Sequence, residues 1–342
     1  MKKLLASVTL LSFLAVTGCN SPSTDFQQSN DSYTSFAKNK ISAKSDWYEN
    51  LKPELQAYYA EAKGKTGAEL FDALHEIISR NNKIQGYGDS KSFMYAVADN
   101  TTVNGKTGVF DAYSGIFAVG SGGNGDTYKE SGDSNKDGVA NDFINCEHTW
   151  PQSFFNKSLP MVADIHHLQS TMSIPNNRRG HLPFGVVKGN VVYTTNGGSK
   201  LGSESGLMKN SISKNEMTKI FSMLDSKDEK VHSQGEDLLS KAGGGGLIFE
   251  PWDKQKGNTA RCMLYFYLRY NDQNVKGGEF EKTAFWTSKV STFINWSENV
   301  DPVNEEDMKR NDVVFGKQGN RNPFVDIPNL ASIIGENVLK TK

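Results

Sequence analysis

Between Gly67 and Asn82 the apolar residues Leu70, Phe71, Leu74, Ile77 and Ile78 recur at helical spacing, and the pattern then breaks into short β-prone pieces. An amphipathic helix needs an apolar partner for one face, and short strands need neighbours to pair with, so both must meet in packed layers. His75 and Glu76 fall inside this helix, and His75 is read as structural. From about Gly86 to Gly138 the β-prone pieces, among them Gly108 to Tyr113 and Ile116 to Val119, are separated by Gly, Asn and Asp turns. Phe184 to Lys188 and Val191 to Thr195 read as a strand pair joined by Gly189-Asn190, a strong hairpin signal. After the flexible join Gly243 to Gly246, helical spacing returns over Asn258 to Tyr270, with Ala260, Met263, Leu264, Tyr267 and Leu268 on one face. No repeat of fixed period and no βαβ alternation appears, so the expected class is α+β, mixed helices and short antiparallel strands. A chain of 342 residues, 37% of them hydrophobic, suffices for one proper core.

The amino terminus has a different character. Lys2 and Lys3 precede an apolar run from Leu4 to Val16, the layout of a secretory signal, and the run is too short to span a bilayer. It closes with Val16-Thr17-Gly18-Cys19, which resembles the lipobox of bacterial lipoproteins. Residues 1–18 are therefore expected to be a signal peptide, with Cys19 acylated after cleavage; the competing reading is a plain signal peptide with an incidental Cys. Residues 19–45 are polar and poor in hydrophobes, as a flexible tether requires, and the folded part is expected over 46–342. The expected setting is export with the chain held to a bacterial membrane through the lipid only, as a monomer.

With Cys19 used for lipid, Cys146 and Cys262 remain as an even pair in an oxidising compartment. They form either a disulfide or two buried thiols. The formal net charge of −1 lacks the strongly basic balance common in nucleic-acid binders, so any phosphate contact has to be local.

The densest group of chemically able residues runs from Asn145 to Gly185: Glu147-His148, then Asp164-Ile165-His166-His167, then Asn176-Asn177-Arg178-Arg179 and His181. Phosphodiester hydrolysis needs a base to activate water, a hard cation against the phosphate, and oxygen ligands to hold that cation. A His beside a carboxylate, with an amide and arginines downstream, meets those needs. Side chains of adjacent strand residues point to opposite faces, so Glu147 and His148 share a site only where the strand bends or ends; Pro151 fits such an ending.

Several widely spaced segments together resemble the bacterial endonuclease I family, periplasmic or secreted nonspecific nucleases of the His-Me finger (ββα-metal) superfamily. They are Gly67 to Ser79, Glu147-His148-Thr149-Trp150-Pro151, Asp164 to Leu168, Asn176 to Gly185, Glu250-Pro251 with Lys256-Gly257 and Ala260-Arg261, and Gln318 to Phe324. The resemblance implies a single nuclease domain around a ββα-metal core, acting on DNA and RNA and leaving 5′-phosphate ends. It makes His148 the general base, Glu147 and Asn176 the ligands of one divalent cation, Mg²⁺ with Mn²⁺ or Ca²⁺ as substitutes, and Arg179 a catalytic contact to phosphate. Arg178 and His181 become substrate-side candidates. Glu250 and Arg261 are expected to buttress the core, and Lys157 is a loose candidate for an additional basic residue.

Other readings stand beside this one. Asp164, His166 and His167 are zinc-ligand types and permit a zinc hydrolase of another ester, and a noncatalytic surface lipoprotein could have kept the fold. Asp133, Asn135 and Asp137 look like the first half of an EF-hand Ca²⁺ loop, but Ile144 stands where the closing Glu belongs, so a polar turn competes with a structural Ca²⁺ site.

Overall fold

The amphipathic helix forms over Gly67–Ser79 and buries the five apolar residues that defined it. The computed structural model describes residues 47–80, 82–84, 86–119, 144–205, 212–244, 246–275 and 282–342. The chain divides into Met1–Ser42 and Ala43–Lys342, and every described residue belongs to the second unit. The expected signal peptide, Cys19, the whole 19–45 tether and the Asp133–Asp137 loop lie outside the described residues. Among those described, no helix is long and apolar enough to cross a membrane.

The principal helices are α1 (Gly67–Ser79), α2 (Ser173–Arg179), α3 (Lys214–Leu224), α4 (Glu229–Gly244), α5 (Asp253–Tyr270) and α6 (Glu305–Gln318). The strands make three small antiparallel sheets: β1 (Asn100–Val103), β2 (Lys106–Phe110) and β3 (Phe117–Val119); β4 (Ile144–His148) and β5 (Leu168–Met172); β6 (Gly189–Thr194), β7 (Lys200–Ser203) and β8 (Leu247–Glu250). This is the α+β arrangement expected. Helix α5 begins before the predicted Asn258 and is buried all round from Thr259 to Tyr270, not along one stripe. Its polar residues explain how that is tolerated: Arg261 pairs with Asp307 at 2.9 Å and donates to the Asp301 carbonyl, and Arg269 faces Asp164 at 3.2 Å. Helix α1 packs on α5, where His75 Nδ1 lies 2.9 Å from the Leu268 carbonyl.

The predicted hairpin at Gly189-Asn190 is not made. Phe184 to Lys188 is drawn onto β8 instead, with the Gly185 amide donating to the Phe249 carbonyl and the Phe249 amide to Pro183. Strand β6 starts at Gly189 and pairs with β7, so the turn falls at Thr195–Ser199. Burial of Phe184 against Phe249 outweighs the local turn preference. Gly197 in the real turn touches the Ser114 backbone, and a Cβ there would sit 2.4 Å from its carbonyl oxygen.

The Cys146–Cys262 disulfide is likewise not formed, and both residues are buried thiols. Register gives the reason. Glu147 faces Gln169 across the β4–β5 pair, and Gln169 Nε2 donates to Cys262 Sγ at 3.1 Å, so Cys262 lies on the Glu147 side. Cys146 points to the opposite side, among Met94, Ile144 and Leu168. Burial pushes the Cys262 thiol up to about 11, which keeps it protonated.

The segment between β4 and β5 is fastened from beneath by Asp164, which is fully buried. Its Oδ2 accepts from Tyr265 and Tyr270 of α5 at 2.7 Å each, and its Oδ1 accepts from Gln318 of α6 at 2.7 Å and from the His166 amide at 3.1 Å. Burial raises the affinity of this carboxyl for its proton, but Arg269, His166 and His167 more than offset it and hold the group at about 2. His166 and His167 pass their Nε2 hydrogens to the carbonyls of Asn320 (2.9 Å) and Met161 (2.7 Å).

Asp164→Asn is expected to destabilise the fold by roughly 3–5 kcal/mol, because it leaves the Arg269 cation buried without its counter-charge; urea unfolding midpoints measure this. Burial also lowers both histidines from 6.5 to about 4, so the unfolded chain binds more protons than the folded one between those values. Stability should therefore fall as pH drops from about 6.5 to 4, by up to about 1.4 kcal/mol per histidine for each pH unit, and Asp164 adds a loss of the same sign below the usual carboxylate range. Thermal midpoints that stay level across that window would exclude this.

Candidate active site

Strand β4 ends at His148, where the Thr149 amide still donates to the His167 carbonyl before Pro151 turns the chain away. At this strand end Glu147 and His148 both line one cleft of about 610 Å³, with Asn176 of α2 and Lys157, His181 and Glu236 also in its wall. Strand β5 runs directly into α2, so the order strand, strand, helix brings Glu147, His148 and Asn176 to one place.

Glu147 is 3% exposed and held at one oxygen: Tyr113 donates its hydroxyl to Oε1 at 2.6 Å, and Arg179 Nη1 lies 3.0 Å from the same atom. No side-chain hydrogen bond reaches Oε2 among the described residues. Burial raises the pKa of this carboxyl, against the pull of Arg179 and Tyr113, which favour its ionised form.

His148 Nε2 lies 3.0 Å from the Val162 carbonyl. A carbonyl only accepts, so Nε2 carries the hydrogen and Nδ1 keeps a lone pair. The ring sits between Tyr87 and His167, with centroids 5.3 and 5.5 Å away. Burial, then the neighbouring His167, with Arg179 and Lys91 adding, push its pKa from 6.5 to about 3, which keeps the ring neutral.

The four polar residues Asn176 to Arg179 have different partners. Asn177 donates to the Leu224 carbonyl at 3.1 Å. Arg178 is expected at the substrate but turns away from the cleft: its guanidinium makes paired bonds of 2.8 and 2.6 Å to Asp225 and lies over Phe221. Two residues further along the helix, about 200° round from Asn176, it falls on the α3 side. Arg179 is 1% exposed, donates to the carbonyls of His148, Thr149 and Gly180, and covers the Phe184 ring. It borders the cleft, and its hydrogen bonds tie α2 to the end of β4. The Asn176 side chain, by contrast, has no hydrogen bond among the described residues and faces the cleft.

His181 lines the cleft as expected, with Nε2 3.8 Å from Glu236 Oε1, and His232 approaches that same oxygen at 3.7 Å. The zinc candidates Asp164, His166 and His167 do not share an open position, since both histidines bond carbonyls and Asp164 is ringed by donors. No group of three or more His, Cys, Asp or Glu arranged for a metal occurs among the described residues. Among the oxygen donors in the cleft wall, Glu147 and Asn176 could hold a cation with room for water, while Glu236 lies against His181 and His232.

Tyr113 has no place in the sequence reading, although it touches Glu147. It belongs to a turn built on Asp111, whose buried carboxylate accepts from the amides of Tyr113 (3.2 Å), Ser114 (3.1 Å) and Met172 (3.0 Å) and from the Thr171 hydroxyl (2.6 Å). Thr195 and Ser199 donate to the Tyr113 carbonyl at 2.7 and 2.6 Å. The signal available was Asp111 followed by Ser114-Gly115, an Asx-type turn that would fix the intervening side chains.

The chain is similar to two curated proteins named extracellular ribonuclease. One, from Bacillus amyloliquefaciens, is 26% identical over 290 residues, covering 82% of this chain and 78% of the relative. The other, from Bacillus subtilis (strain 168), is 26% identical over 292 residues, covering 82% and 79%. The family model for endonuclease I matches residues 66–220 and 219–329, a span that contains the whole cleft, and the chain therefore belongs to the endonuclease I family of nucleases.

Proposed function

We propose that the protein is an exported, divalent-metal-dependent endonuclease that hydrolyses DNA and RNA without sequence preference and leaves 5′-phosphate ends. One observation carries the reading: His148, with its hydrogen fixed on Nε2 by Val162, stands beside Glu147, with Asn176 in the wall of the same cleft. The strand, strand, helix order of β4, β5 and α2 is read as the ββα-metal core, and the names of the two relatives support RNA as a substrate.

The residues fit a hard cation. Glu147 Oε2 accepts no side-chain hydrogen bond and the Asn176 side chain makes none among the described residues, and a site with two protein ligands leaves positions for water and phosphate, as Mg²⁺ prefers. Bound there, the cation would neutralise the phosphate and stabilise the departing 3′ oxygen. His148 takes a proton from the attacking water at Nδ1. The neutral ring is able to accept, and a phosphodiester entering the cleft brings negative charge beside it, which raises its proton affinity toward the working range. Arg179 and Tyr113 hold Glu147, and Arg179 also holds the backbone of His148, so the two groups stay aligned.

His148→Ala should lower cleavage of plasmid DNA and of RNA by about 10³-fold at saturating Mg²⁺ with an unchanged far-ultraviolet spectrum, the usual size of a general-base contribution; undiminished cutting would sink the assignment. Chelation should abolish cleavage by the wild type, Mg²⁺ should restore it, and Asn176→Ala should not recover at the same Mg²⁺ concentration. Retained cutting in chelator would instead exclude the metal. Anchoring through Cys19 is the remaining proposal: Cys19→Ser should move the protein from the membrane fraction to the soluble exported fraction, and unchanged fractionation would refute the lipid.

A further inference from the structure

Resting on the metal reading above, the geometry points to Tyr113 as a positioning residue for the cation site: with Arg179 it occupies Glu147 Oε1 and so presents Oε2, singly, to a cation shared with Asn176. Both contacts meet the same carboxylate oxygen, at 2.6 and 3.0 Å, from opposite parts of the chain. A carboxylate in open solvent would offer either oxygen or both. With Oε1 held, Glu147 can act only as a single-oxygen ligand, which suits the strict octahedral geometry of Mg²⁺ better than a chelating carboxylate would.

The tyrosine is built for this placement. It is fully buried, its ring packs 4.7 Å from that of Phe249, and its carbonyl is bonded by Thr195 and Ser199. The preceding Asp111 ties the turn to β5, because its carboxylate accepts from Thr171 and the Met172 amide. β5 is the partner of β4, so the tyrosine that holds the ligand and the strand that carries it share one support. A hydroxyl fixed at both ends of its side chain in this way orients the metal ligand with little freedom to wander, the task that outer groups perform around metal sites.

The test is Mn²⁺ binding followed by electron paramagnetic resonance on the full exported chain without nucleic acid, so that no turnover is involved. Tyr113→Phe removes a single oxygen and keeps the ring. Its Mn²⁺ dissociation constant should rise about 10-fold or more. Cleavage by the variant should need Mg²⁺ raised by the same factor and then return to within about twofold of the wild type, which a merely damaged fold would not do. The thermal midpoint in chelator reports the fold separately. Wild type that binds Mn²⁺, with Tyr113→Phe binding it equally well and Asn176→Ala not binding, overturns the role of Tyr113 while leaving the metal site intact. Wild type that binds no Mn²⁺ overturns the proposal together with the metal reading. A Tyr113→Phe defect that no concentration of Mg²⁺ repairs also overturns it, in favour of a structural role.

Discussion

The carboxylate of Asp164 is the contact on which the rest of the site depends. It is buried, ionised, and shared between two tyrosines and an arginine of α5 and a glutamine at the end of α6. A buried charge is tolerable only when it is paired and hydrogen-bonded, and here every lone-pair direction has a donor. The consequence is that the short helical turns before β5 cannot shift relative to the two largest C-terminal helices. Those turns carry the Val162 carbonyl, which decides the tautomer of His148. Asp164, distant in sequence from His148, thus steadies the carbonyl that sets which His148 nitrogen carries the hydrogen.

A second support reaches Glu147 from the opposite side. Asp111 organises the turn bearing Tyr113 and bonds β5, while Arg310 and Asp99 secure the outer edge of the same strand: Arg310 donates to the Leu168 carbonyl at 2.8 Å, and Asp99 accepts from the Ser170 amide at 3.1 Å. The β4–β5 pair has only two strands and would be marginal alone. It is held by buried polar bonds as much as by apolar contact, and this fits a hairpin that must keep a carboxylate and an imidazole facing a wet cleft.

How much of this could be read from the residues varies with the range of the interaction. Helix α1 was legible because its five apolar residues recur at 3.6-residue spacing, and the helix they imply is the helix that forms. Glu147, His148 and Asn176 were legible as a group through their resemblance to a family, and the cleft brings them together. Arg178 and Arg179 were not separable in sequence, because adjacent residues on a helix point about 100° apart and only the surrounding packing decides which one meets the cleft. The Gly189-Asn190 turn misled for the opposite reason: a strong local preference yielded to the pairing of Phe184 with β8, a contact more than sixty residues away. Tyr113 and Cys262 depend on strand register and on loops from distant parts of the chain; the Asx-type turn at Asp111 marks Tyr113 as fixed, but nothing local to either residue names its partner.

The formal net charge of −1 then acquires a meaning it did not have at the outset. Both arginines near the proposed ligand Asn176 are engaged within the protein, Arg178 on Asp225 and Arg179 on Glu147 and β4, so their charge is largely spent on internal partners. The cations left in the cleft wall are few, chiefly Lys157, and Glu236 opposes them there. Without a strongly positive field, long-range steering of nucleic acid is weak, and attraction has to arise at short range from the bound cation and its waters. On the proposed reading the metal is therefore both the chemical centre and the main electrostatic handle. A single phosphate engaged at one cation carries no information about the bases, and this is the physical basis for expecting cleavage without sequence preference.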